Sequence, residues 1–145
     1  EGNQVVDRLV LNVDVAPTLL EAGGLEVPET MQGRSFLTLP NDRQQPWRTA
    51  FLYEYFWEAA YPETPTVFGI RTDRYKYITY HGVWDTTELY DLEKDPGEMH
   101  NRISTSRRKH VTVDPDYREV HEALTNDLAR LKTEYGVRET PNWAK

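Results

Sequence analysis

Three short runs of β-branched and aromatic residues stand close together, at 67–72, 75–80 and 88–92. Val67, Ile70, Tyr75, Tyr77, Ile78 and Tyr80 suit a pleated, half-buried surface. Thr72-Asp73-Arg74 predicts a tight reversal, so the first two runs form an antiparallel hairpin. Asp95-Pro96-Gly97 closes the third run with a turn, in which Pro fixes φ and Gly tolerates positive φ. Upstream, residues 50–58 read as a strand with Phe51, Tyr53, Tyr55 and Trp57 on one face and Leu52, Glu54, Phe56 and Glu58 on the other. Both faces are partly apolar, which predicts a central strand covered on each side. Pro62 and Pro65 mark the loop that follows.

The pattern changes to helical spacing near the C-terminus. Tyr117, Val120, His121, Leu124, Leu128, Leu131 and Tyr135 form one apolar stripe, opened by Asp114-Pro115 and ended by Gly136. His121 lies on that stripe and is expected to pack in the core. A shorter helix is predicted over residues 14–22, with Asn12 or Asp14 as its cap, Pro17 in its first turn and Gly23-Gly24 as its stop. Val15, Leu19, Leu20 and Ala22 leave it apolar on most sides, so it asks for a large surface to pack on. Residues 41–46 are polar with a Pro stop and read as a linker, and 101–113 read as irregular. The expected fold class is α+β: a four-stranded antiparallel sheet with a long C-terminal helix across one face.

Composition narrows the function classes. Residues 1–100 carry 17 acidic and 8 basic side chains, whereas 101–145 carry 7 and 9. An acidic body argues against nucleic acid as a partner, because phosphate contact needs a basic face. The run Arg107-Arg108-Lys109-His110 reads as a solvated loop. Without cysteine there is no disulfide and no thiolate metal site. No apolar run approaches the ~20 residues that span a bilayer, so no membrane partner is expected. The first residue is Glu1, and the chain is expected to be a piece of a longer protein.

Catalytic constellations are hard to assemble. Asp91-x-Glu93-x-Asp95 imitates the start of a calcium loop, but Pro96 and Arg102 stand where such a loop needs Gly and Glu. His81, His100, His110 and His121 show no metal-ligand spacing. No Gly-rich phosphate loop is present, and no Ser-His-Asp set can be drawn. The stretch Tyr80-His81-Gly82-Val83-Trp84-Asp85 is a polar-aromatic tip between two strands, of the kind that binds sugars through aromatic faces and polar groups.

Several blocks together carry a resemblance. Arg71-Thr72-Asp73-Arg74-Tyr75-Lys76-Tyr77-Ile78, then Glu88-Leu89-Tyr90-Asp91-Leu92, then Asp95-Pro96-x-Glu98-x-x-Asn101 resemble the C-terminal subdomain of type I, formylglycine-dependent sulfatases. Asp14, Pro17, Thr18, Leu19, Leu20 and Ala22-Gly23 resemble the block that closes the catalytic domain of those enzymes, with one residue fewer before the Ala-Gly pair. Gly33-Arg34-Ser35-Phe36 matches the feature that follows it. The stretch from Tyr53 to Asp85 is similar to a bacterial group called arylsulfatases or N-acetylglucosamine-6-sulfatases.

The resemblance implies residues 1–40 as the C-terminal end of an α/β catalytic domain including its last helix, 41–46 as a linker, 47–136 as the C-terminal subdomain and 137–145 as a tail. It implies an upstream catalytic domain, a sulfated carbohydrate substrate of glycosaminoglycan type and a periplasmic or secreted parent. The parent would use formylglycine, made from Cys or Ser in Cys/Ser-x-Pro-x-Arg, and calcium or magnesium. Ser35, Ser104 and Ser106 lack that context, so no catalytic residue, metal ligand or cofactor is expected in this chain, which alone should be inactive. His81 and Trp84 are the leading substrate-binding candidates, followed by Tyr55, Trp57 and Glu58. The alternative is a stand-alone carbohydrate-binding or interaction module without catalysis.

Overall fold

A computed structural model of the chain describes residues 5–42, 44–81, 86–105 and 111–137. The chain divides into two compact units between Thr49 and Ala50. Trp47 and Arg48, at the start of the expected subdomain, belong to the first unit.

The first unit is built around Asp14. A 3₁₀ turn, Asn12–Asp14, leads into helix α1, Val15–Ala22. Asp14 is fully buried, and its side chain does not cap α1. Its carboxylate instead accepts the backbone N–H groups of Leu11 and Arg34, both at 2.8 Å, and forms a two-pronged ion pair with the Arg48 guanidinium. Arg48 and the Trp47 indole also donate to the Leu9 carbonyl, at 3.1 and 2.8 Å. The Thr18 hydroxyl donates to the Asp14 carbonyl and accepts from Phe36 N–H. These bonds tie the α1 block to the Gly33–Phe36 block. Gly33 makes the approach possible, since a Cβ there would lie 1.9 Å from the Val13 carbonyl oxygen. Helix α1 ends as expected: Gly24 takes the left-handed conformation, φ +71°. Its Leu19 is 68% exposed, so the apolar surface is not consumed within the unit.

The second unit has strands β1 (Ala50–Tyr55), β2 (Thr66–Thr72), β3 (Tyr75–His81) and β4 (Thr87–Asp91) in antiparallel order β1-β2-β3-β4. Strand β1 is therefore an edge strand, not the central one its two-sided apolarity suggested. Its aromatic residues Phe51, Tyr53 and Tyr55 share one face, and Leu52 on the other packs with the core. Helix α2, Arg118–Glu134, follows a 3₁₀ turn at Pro115–Tyr117, where the Asp114 carboxylate caps Asp116 N–H. Alternation along the strands sends Phe68, Ile70, Tyr77 and Leu89 to one face, where Tyr117, Leu124, Leu128 and Leu131 cover them. Each buried side chain of this kind contributes about 1.5–3 kcal/mol through removal from water. His121 packs edge-on against Tyr77 at 5.1 Å, and burial depresses its pKa.

Residues expected to be irregular form a second, two-stranded sheet, β5 (Ile103–Thr105) with β6 (Val111–Val113). The polar look of the segment hid two anchors. Arg102 N–H donates to the Leu89 carbonyl, and Asn101 Oδ1 accepts from both Leu89 and Ile103. The run 107–110 lies outside the described residues. The Asp95 turn forms as expected, but positive φ falls on Glu98 (+54°) and not on Gly97. The Asp95 carboxylate holds that geometry by accepting N–H from Met99 and His100, and Lys76 pairs with Glu98.

Leu124→Ala removes the middle of the α2 stripe and is expected to lower stability by about 2–5 kcal/mol, read as a shift of the urea midpoint at constant slope.

Candidate functional site

Three polar regions of the second unit have the chemistry to be sites. The first is Asp91, at the end of β4 and fully buried. Arg74 Nε and Nη2 donate to its two oxygens at 3.0 and 2.8 Å, and the Tyr117 hydroxyl donates at 3.2 Å. The Arg74 hydrogen bonds hold the Asp91 carboxyl at a pKa of about 2, against the desolvation that opposes them. A carboxylate so held is a poor general base. Asp95 is likewise lowered, chiefly by Met99 N–H. In the would-be calcium loop, Asp91 and Asp95 are thus committed to protein donors, and the exposed Glu93 lies 3.1 Å from Arg74 Nε. Among the described residues no group of three or more His, Asp or Glu side chains could hold a metal.

The second region is a groove of about 400 Å³ between the end of β3 and α2, lined by Tyr77, Thr79, His81, Thr125, Leu128 and Lys132, among others. His81 stacks edge-on against Phe68 at 5.4 Å, and Lys132 Nζ lies 4.2 Å above the same ring. The Thr79 hydroxyl donates to the Phe68 carbonyl and lies 3.2 Å from His81 Nε2. A lysine, an imidazole and threonine hydroxyls on an apolar floor suit a polar, anionic ligand.

The third region is the end of β1. Burial and the nearby Glu58 carboxylate raise the Tyr55 pKa. Trp57 is 39% exposed; its indole donates to the Pro62 carbonyl at 3.2 Å and its backbone N–H to Thr66 Oγ1.

The structure thus brings Tyr55 and Glu58 together but separates Tyr55 from His81. Tyr55 pairs with Val67, which pairs with Tyr80, so Tyr55 and Tyr80 share a face and His81 points to the other. Trp84 lies outside the described residues. Lys132 was not recognised from sequence. Its signal was its position four residues after Leu128, which puts a cation on the core-facing stripe.

A family model described as N-sulphoglucosamine sulphohydrolase, C-terminal, matches residues 1–134. An N-acetylglucosamine-6-O-sulfatase of Bacteroides thetaiotaomicron is 40% identical over 94 residues, 63% of this chain and 17% of that protein. A Delta 4,5-hexuronate-2-O-sulfatase of the same organism is 34% identical over 137 residues, 90% of this chain and 26% of that protein. A solved structure in complex with its substrate D-glucosamine-2-N,6-O-disulfate superposes with a TM-score of 0.73 at 29% identity, over 91% of this chain and 26% of that one. The fold and these blocks define a sulfatase C-terminal region. The chain belongs to the N-sulphoglucosamine sulphohydrolase C-terminal family, and it spans about a quarter or less of the length of these relatives.

In this light the polar residues of the matching blocks are structural. Arg74, Lys76, Asp91, Asp95, Glu98 and Asn101 bind one another or the backbone. Because the folded Asp91 pKa lies below its ordinary value of 3.8, its stabilisation is fully present above that pH and is lost as pH falls toward about 2. Unfolding titrations between pH 5 and 2 should therefore show a steeper loss for the unmodified chain than for Asp91→Asn, which starts lower and changes less.

Proposed function

We propose that this chain is the C-terminal part of an enzyme that hydrolyses sulfate esters of sugars of the glycosaminoglycan type. The observation that carries this reading is the family match across residues 1–134. It is supported by relatives whose names specify sulfated glucosamine and hexuronate. Residues 1–40 would complete the catalytic domain and 47–136 would form the subdomain beside its cleft. The upstream domain would supply formylglycine and the calcium or magnesium ligands, because the described residues do not fit a metal; when bound, the cation polarises the sulfate.

Within this chain, His81 and Trp84 would contact the sugar, with Tyr55, Trp57 and Glu58 in a secondary role. The groove beside His81 supports that assignment. His81 and Lys132 both line it, so an imidazole and a positive charge would meet the sugar from one groove. The opposite orientation of Tyr55 implies that the two groups of candidates would meet different parts of a substrate.

The test uses the full-length polypeptide. His81→Ala should raise KM for a sulfated glucosamine about tenfold, the loss of roughly one good hydrogen bond, and change KM for a small aryl sulfate less than twofold. Equal effects on both substrates would remove His81 from the sugar site. Absence of sulfate-ester hydrolysis in the unmodified protein would overturn the enzyme reading and favour a binding module.

A further inference from the structure

The groove beside His81 is a cationic spot on an acidic chain. The sequence carries 24 acidic and 17 basic side chains. Yet the residues lining the groove include Lys132 and no carboxylate. Glu54 stands across from Phe68 in the β1–β2 register, but it is exposed and does not line the groove. On α2 the preceding cation, Arg130, is taken up by Asp127 and Glu134 at 3.1 Å each. Lys132 has no such pair with a carboxylate among the described residues. Its Nζ rests 4.2 Å above the ring of Phe68, which is 2% exposed. That contact positions the charge while giving its three N–H groups no acceptor. The rest of the lining suits a sugar rather than a bare anion. The Thr125 and Thr133 hydroxyls donate to the His121 and Ala129 carbonyls at 2.8 and 3.0 Å. So bonded, they offer a ligand acceptor oxygens, which the O–H groups of a sugar satisfy. Leu128, Ala129 and Val137 supply apolar surface for its C–H groups.

We propose that Lys132 is a specificity-determining residue, pairing with a second anionic group of the sugar, a sulfate or a carboxylate, other than the ester that is hydrolysed. This role rests on the sulfatase reading above. There the hydrolysed ester is engaged by the formylglycine and the cation of the upstream domain, so a charge offered by α2 meets a different group of the same substrate. Lys132 thereby favours sugars with two anionic groups over sugars with one. A cation in the last turn also answers the carbonyl end of α2. A lysine placed for that alone would alter stability and not the choice of substrate.

Kinetics of the full-length polypeptide test this with three substrates: glucosamine carrying one sulfate, carrying two, and carrying one with a linked uronate. In the unmodified protein kcat/KM should be higher for a doubly charged sugar than for the single sulfate. Preference for the disulfate assigns the second group as sulfate, and preference for the uronate assigns it as carboxylate. Lys132→Gln should lower that preference about tenfold, through KM rather than kcat, as for loss of a hydrogen bond to a charged group. Lys132→Arg should restore most of it. No preference in the unmodified protein, or a preference that Lys132→Gln leaves intact, overturns the role of Lys132. A second measurement needs no turnover. Acetylation of lysine amines, read peptide by peptide, should slow at least about fivefold at Lys132 when the preferred sugar is saturating, and not at the exposed Lys94. The two readings then separate. Hydrolysis with unslowed labelling of Lys132 rejects only the pairing, and slowed labelling without hydrolysis rejects only the enzyme.

Discussion

The buried carboxylate of Asp91 is the constraint on which the second unit depends. It ends β4, receives the guanidinium of Arg74 from the β2–β3 turn and accepts the Tyr117 hydroxyl from the start of the helical segment. One side chain therefore fixes the end of a strand, a hairpin and the point where the chain enters α2. Removing such a charge from water is expensive, so each of its bonds is required rather than optional. The requirement makes the arrangement specific: an aspartate at that place tolerates few alternative positions of the turn or of the helix.

The first unit repeats the device. Asp14 is buried and satisfied by Arg48 and by the backbone at Leu11 and Arg34, which binds blocks far apart in sequence. Asp95 does so on a smaller scale, holding Glu98 in an uncommon backbone conformation. All three aspartates are consumed by folding. A strongly patterned set of polar residues can thus identify a sulfatase C-terminal region through the fold it holds together.

Other polar groups stand on the two faces of the sheet. The helix-side groove holds His81 and Lys132 near hydroxyl groups, and the opposite face holds Arg71 among aromatic residues. The antiparallel register keeps these apart, since neighbouring residues such as Tyr80 and His81 face opposite ways. Strand β1 follows the same rule, with Phe51, Tyr53 and Tyr55 on the face of Arg71 and Leu52 on the face of Ile70 and the core.

The sequence by itself determined the strands, the long helix, the caps and turns, and the family. These follow from local spacing, β-branched and aromatic content, and Pro, Gly and Asp at chain reversals, all of which act over a few residues. It also determined that a formylglycine motif is absent, which is a matter of residue identity. Only the tertiary structure decided that β1 lies at an edge, that residues 103–105 and 111–113 pair, and that Asp14 is a buried ion-pair partner rather than a cap. It alone placed Lys132 beside His81 and turned Tyr55 away from it. Those outcomes depend on which strand lies next to which and on where a distant arginine or carbonyl can be reached, and periodicity along one segment carries no record of either.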